Sequence, residues 1–134
     1  MSHIHVVYEG KMRERCELLG KQVVLCDQPK SLGGLEENGS PTDLFGAALA
    51  SCMLTMMSFQ AKRLKVAMEG ASADVTKQLT TSAPFKIVEI KVTIQMPAGV
   101  PQEARKALEE AAMHCPIHLS LSHEVNQEVS FVWI

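Results

Sequence analysis

Two thiols separated by most of the chain are the side chains best suited to chemistry. Cys52 lies among Ala48, Met53, Met56 and Met57, and Cys115 closes an amphipathic stretch and is followed at once by Pro116. A cysteine buried among alanine and methionine is ordinarily an inert small hydrophobe. It becomes a nucleophile only where a cation stabilises its thiolate, and it becomes a redox catalyst where a second sulfur can trap the oxidised form. Cys52 is read in mid-helix, where the helix dipole cannot reach it, so a side-chain cation is needed. Arg13 and Arg15, on one face of an N-terminal strand, are the candidates. Cys115, as N-cap of a short helix starting at Pro116, receives that helix's backbone dipoles and is expected to be the more acidic of the two thiols.

The remaining candidates read more simply. Cys16 and Cys26 fall on strands and are expected to be core residues with no paired thiol. His114, Cys115 and His118 invite a zinc reading, but the cluster is short of the four donors of a structural site. His3 and His5 read as surface residues. There is no phosphate-cradling glycine loop, no Gly-x-Ser-x-Gly elbow and no carboxylate pair placed for glycoside chemistry.

The elements that must hold these residues can be read from period and punctuation. Residues 3–8 and 11–18 pattern as a hairpin about Glu9-Gly10, and a turn at Leu19-Gly20 leads into 21–27, giving an antiparallel meander. A two-residue turn at Leu19-Gly20 makes the numbers of facing residues sum to 39, so Cys16 is expected opposite Val23 and Cys26 opposite Arg13. Residues 28–39, with Pro29, Gly33-Gly34 and Gly39, read as a loop long enough to cover a pocket. Ser40-Pro41-Thr42-Asp43 then has the form of a helix start: Ser40 as N-cap, Pro41 at the first helical position and Asp43 returning a capping-box bond. That helix is expected to run to about Arg63, with Leu44, Ala48, Cys52, Met56 and Phe59 on one stripe facing an apolar surface. Strands over 71–79 and 85–96 follow. A helix from Pro101 carries Ala104, Leu108, Ala111 and Cys115 on one face, and a short helix over 116–122 and a last strand over 124–133 complete the order βββ, α, ββ, α, β.

The 134 residues suffice for one core and one domain, 1–134. Thirteen basic against fifteen acidic residues, a net charge of −2 and no basic run argue against a nucleic-acid partner. Residues 1–8 show neither a basic segment nor an apolar one of the kind a cleaved leader carries, so the expected location is the cytoplasm. The longest apolar stretch, 44–57, reads as a buried helix too short and too rich in small residues to cross a membrane. In that compartment four cysteines speak against a structural disulfide framework.

The run over residues 39–52 (GSPTDLFGAALASC), followed by a Met-rich helix and by Cys115-Pro116 opening a short helix, resembles the OsmC/Ohr family, the osmotically inducible protein C and organic hydroperoxide resistance proteins. The likeness covers essentially the whole chain, with the two cysteines 63 positions apart, at 52 and 115. It implies an α+β fold of antiparallel sheets around a long central helix, assembled as an intertwined homodimer. It further implies a cofactor-free peroxidase for alkyl or fatty-acid hydroperoxides. Cys52 is then the peroxidatic thiol, Cys115 the resolving thiol and a dithiol the reductant. Arg13 or Arg15 holds the thiolate, and Met53, Met56 and Phe45 line the apolar site. The best-characterised members carry a glutamate ten residues before the first cysteine, where this chain has Thr42. That departure implies weaker hydroperoxide turnover or a different substrate. Asp43 is adjacent but points about 100° around the helix. Two other classes remain: a non-enzymatic protein holding an acyl-type ligand in a Met-lined pocket, and the zinc module of Cys115, His114 and His118.

Overall fold

The computed structural model describes residues 3–134. The contacts gather into two compact units, a first ending at Phe45 and a second from Gly46 to Ile134. Length alone suggests one domain.

In the first unit, β1 (Ile4–Gly10), β2 (Arg13–Leu18) and β3 (Gln22–Cys26) form an antiparallel meander in the order β1-β2-β3. The first turn lies at Lys11 and Met12, both at positive φ, two residues later than Glu9-Gly10, and the Tyr8 hydroxyl accepts the Met12 amide at 3.2 Å. The second turn uses Leu19 and Gly20 as read, both at positive φ and closed by the Lys21 amide donating to Leu18 O at 3.0 Å. Lys21 is then passed over in the pairing, because Leu18 faces Gln22. That extra residue acts as a bulge and shifts the register by one. Facing residues sum to 40 rather than 39: Cys16 opposes Val24, and Glu14, not Arg13, opposes Cys26.

Beyond Cys26 the chain leaves the sheet, and residues 28–39 fold back on themselves around a single 3-10 turn, Lys30–Leu32. Gly34 makes this possible. Its amide donates to Pro29 O at 3.0 Å, and a Cβ there would stand 2.0 Å from Gln28 O, so no other residue fits the closure.

The helix α1 (Pro41–Leu64) starts as expected: the Ser40 amide donates to Asp43 Oδ2 at 2.9 Å and the Asp43 amide to Ser40 Oγ at 3.3 Å. Its buried stripe is Gly46, Leu49, Ala50, Met53, Met57 and Ala61. The stripe expected to be covered is the neighbouring one, on which Cys52 and Met56 are half-buried and Phe59 is 58% exposed. The helix is apolar nearly all round, so the period alone could not select the core side. At 24 residues it is also long and apolar enough to cross a membrane by length and composition, against the expectation drawn from 44–57, but its buried stripe makes it the core helix of the second unit.

That core is completed by a second sheet, β4 (Ser72–Leu79), β5 (Ile87–Gln95) and β6 (Asn126–Val132), in the order β4-β5-β6. Alternate residues of β5 and its extension, Ile90, Val92, Ile94 and Met96, are at most 1% exposed. They share the core with Leu49, Met53 and Met57 of α1 and with Leu108 and Ala112 of α2 (Gln102–Ala112). Gly46 lets α1 approach β4 closely, since a Cβ there would stand 3.2 Å from a Val75 methyl. This sheet is mixed rather than antiparallel. β4 and β5 are antiparallel, but β5 and β6 run parallel, because the helical crossover through α2 and α3 (Pro116–Ser120) returns the chain to the end from which β5 starts. β6 is fastened to the helices at both ends. Trp133 Nε1 donates to Glu109 at 2.8 Å beneath the Arg105 guanidinium, and Gln127 Nε2 donates to His118 O at 3.1 Å.

Candidate functional site

The second unit brings the two distant sulfurs together. Cys52 is presented by the fourth turn of α1, half-buried, and Cys115 is fully buried at the junction of α2 and α3, close enough to Cys52 for the two sulfurs to interact. Pro116 at the first helical position ends α2 and starts α3, which makes Cys115 the N-cap, and its Sγ accepts the His118 amide at 3.4 Å. On the other side it lies 4.0 Å from Leu49 O. All four cysteines are free thiols.

The N-cap position does not make Cys115 acidic. Burial pushes its pKa up, and the neighbouring Cys52 pushes it the same way, while the His118 and Ile117 amides pull it down by less. Five residues of helix offer few aligned dipoles against the cost of a charge in a dry core. The arrangement therefore holds a half-buried thiol close to a buried, neutral one.

Of the residues expected to line a pocket, Met53 belongs to the core, with 0% exposure, since it falls on the buried stripe and not beside Cys52. Met56 instead lines an open groove of about 600 Å³ together with Phe59, Gln60, Lys62, Arg63, Ala111 and His114. Phe45 is half-buried at the end of the first unit.

The zinc reading does not survive the geometry. His114 Nδ1 is bonded to Glu110 O at 2.8 Å and His118 Nδ1 to Gln127 Oε1 at 2.5 Å. Among the described residues no three His, Cys, Asp or Glu side chains are grouped to hold a metal ion.

In the first unit the shifted register sets Arg13 level with Asp27. The guanidinium grips that buried carboxylate in a fork, Nε to Oδ1 at 2.7 Å and Nη2 to Oδ2 at 2.9 Å, and reaches Glu37 at 3.1 Å. Asp27 also accepts the Glu37 amide at 3.1 Å and Asn38 Nδ2 at 3.0 Å, so one carboxylate ties the loop to the sheet. The Arg13 hydrogen bonds, with those of Asn38 and Glu37, hold it well below the usual carboxylate range. Arg15 stands between Val7 and Leu25 in the ladder, half-buried. The role of Asp27 was missed from sequence, because the Lys21 bulge that aligns it with Arg13 has no signature of its own. Asp43 takes part in the helix cap, and Thr42 Oγ1 lies 3.0 Å from Ser40 Oγ.

Comparison with known proteins agrees with this architecture. The chain resembles a candidate osmotic stress induced and detoxification response protein from Psychrobacter arcticus 273-4 (TM-score 0.89, 29% identity, covering 96% of this chain and 93% of the other). It also resembles an organic hydroperoxide resistance protein OsmC from Legionella pneumophila (0.74, 22%, 98% and 95%). A third similar structure is the organic hydroperoxide resistance protein OhrB of Bacillus subtilis (0.72, 17%, 98% and 97%). The OsmC-like protein family model matches residues 34–130, from the loop before α1 into β6 and across both cysteines, and the chain belongs to that family.

Proposed function

We propose that this protein is a thiol peroxidase that reduces organic hydroperoxides, with Cys52 as the attacking sulfur and Cys115 as the resolving one. The observation that carries the reading is the closeness of a half-buried and a fully buried thiol that lie 63 positions apart, at 52 and 115. The Cys52 thiolate attacks the outer peroxide oxygen, the O–O bond breaks, and the alkoxide takes a proton and leaves as the alcohol. The sulfenic acid left on Cys52 is then attacked by the Cys115 sulfur. Water departs, a disulfide forms, and an external dithiol restores both thiols. A nearby Cys115 captures the sulfenic acid before a second hydroperoxide can oxidise it to the sulfinic acid. A guanidinium would stabilise the Cys52 thiolate, and comparing kcat/KM of Arg13→Lys and Arg15→Lys tests whether either supplies it. We assign the reaction to the cytoplasm, where dithiol reductants are kept reduced, and to a homodimer.

Reduced protein treated with an alkyl hydroperoxide should lose two of its thiols quickly and produce the alcohol. Cys52→Ser should lower peroxide consumption at least ~100-fold, and Cys115→Ser should leave a sulfenic acid on Cys52 that dimedone captures. Full peroxide consumption by Cys52→Ser would remove the role given to that residue.

A second reading rests on the groove beside α1. Met56, Phe59 and Ala111 offer an apolar wall, and Lys62, Arg63 and His114 offer cations, a combination suited to an acyl chain with an anionic head. A fluorescent fatty acid that binds the Cys52→Ser variant as well as the native chain, but loses affinity with Arg63→Glu, would favour a binding protein.

A further inference from the structure

The meander of the first unit carries a second pair of thiols. With facing numbers summing to 40, Cys16 opposes Val24 and Cys26 opposes Glu14. Cys16 and Cys26 therefore share one face of the sheet as diagonal neighbours, whereas the register expected from a plain two-residue turn would have put them on opposite faces. The two sulfurs are near enough to interact, and Cys16 pushes the Cys26 pKa up. They also differ in access: Cys16 is half-buried and Cys26 is 2% exposed. A half-accessible sulfur against a buried one is the same asymmetry that Cys52 and Cys115 show, arrived at on different elements.

We propose that Cys16 and Cys26 form a second redox-active dithiol, oxidised by organic hydroperoxides to an intrachain disulfide that staples β2 to β3. Cys16, the accessible sulfur, gives its electron pair to the outer oxygen of the hydroperoxide; the O–O bond breaks, and the alkoxide takes up a proton as the alcohol. The Cys26 sulfur then attacks the Cys16 sulfenic acid. The S–O bond breaks, hydroxide leaves as water with the proton of the Cys26 thiol, and the S–S bond forms. Two thiols have together given two electrons to one O–O bond.

Burial, Cys16 itself and the Glu14 and Asp27 carboxylates all hold the Cys26 thiol in its neutral form, which suits it to the second step rather than the first. Diagonal neighbours start roughly 7–8 Å apart between Cα atoms, so bridging requires closing by on the order of 1 Å. Cys26 is the last residue of β3, where no further ladder resists that movement. The next residue is Asp27, which holds both Arg13 and the loop, so the staple would sit directly beside that clamp.

The test removes the first pair. A Cys52→Ser/Cys115→Ser variant retains only Cys16 and Cys26 as thiols. Treated with excess cumene hydroperoxide, it should lose both, recover them with dithiothreitol, run as a single chain on a non-reducing gel and yield a cross-linked peptide joining residues 16 and 26. Adding Cys26→Ser should leave a dimedone-reactive sulfenic acid on Cys16. Because Cys115 is buried and that variant could fold poorly, the native chain oxidised in the same way should be peptide-mapped as well. Two thiols persisting in the variant, their loss only into bonds between chains, or absence of the 16–26 cross-link from the oxidised native protein overturns the proposal. None of these outcomes depends on whether Cys52 and Cys115 act as a peroxidatic pair.

Discussion

At the scale of single residues, Asp27 accepts four hydrogen bonds, two from Arg13, one from Asn38 and one from the Glu37 amide. Its native carboxylate gives up its proton well below the unfolded value of about 4. The unfolded chain therefore binds the proton more tightly. The stability supplied by Asp27 is complete above about pH 4 and drains away as the pH falls below it. Urea midpoints measured from neutral to strongly acid pH should show that acid limb in the native protein. Asp27→Asn should flatten it and lower the midpoint at neutral pH; parallel acid limbs in both proteins would show that other groups govern it. The thiol pair has the opposite sign. The raised pKa of Cys115 means that resolution of a Cys52 sulfenic acid should quicken as the pH rises through and beyond the ordinary thiol range of about 8.5, which stopped-flow measurement of disulfide formation would follow.

At the scale of elements, the fold was legible wherever a local rule decided it. The Ser40–Asp43 capping box, Pro116 splitting two helices and the strong strand around Ile90, Val92 and Ile94 all lie where period and punctuation place them. The failures have a common physical cause, because each depended on information that adjacent residues do not hold. The core side of an all-apolar helix is chosen by its neighbours, the parallel return of β6 by the crossover, and the register of β2 and β3 by one bulged lysine. The register error was the costly one. It hid both the Arg13–Asp27 clamp and the nearness of Cys16 to Cys26. The turn that causes it also offers a stability test: Leu19 sits at φ 54° with 60% exposure, a conformation that costs a leucine about 1–2 kcal/mol and asparagine far less. Leu19→Asn, which makes the turn Asn-Gly, should raise unfolding stability by about 1 kcal/mol in urea titration without altering the pairing of Leu18 with Gln22.

At the scale of the whole molecule, apolar surface is left over. Ile4, Val6 and Tyr8 on one face of β1 are more than half exposed, and Val7 on the other face is 39% exposed. A strand uncovered on both faces and lying at a sheet edge invites a partner. The homodimer proposed above would cover it, and sedimentation equilibrium should then give twice the 14.7 kDa chain mass. Val6→Lys should shift the population toward single chains; an unchanged mass would place the contact elsewhere. One detail of the buried sulfur also reaches beyond its own site. Cys115 Sγ is the acceptor that seals the start of α3 by holding the His118 amide. Should that sulfur be drawn into a bond with Cys52, its grip on the amide would slacken, and the proton there would trade with solvent faster. A backbone position three residues away could then serve as a spectroscopic gauge of how much of the protein is spent and how much is ready for another cycle.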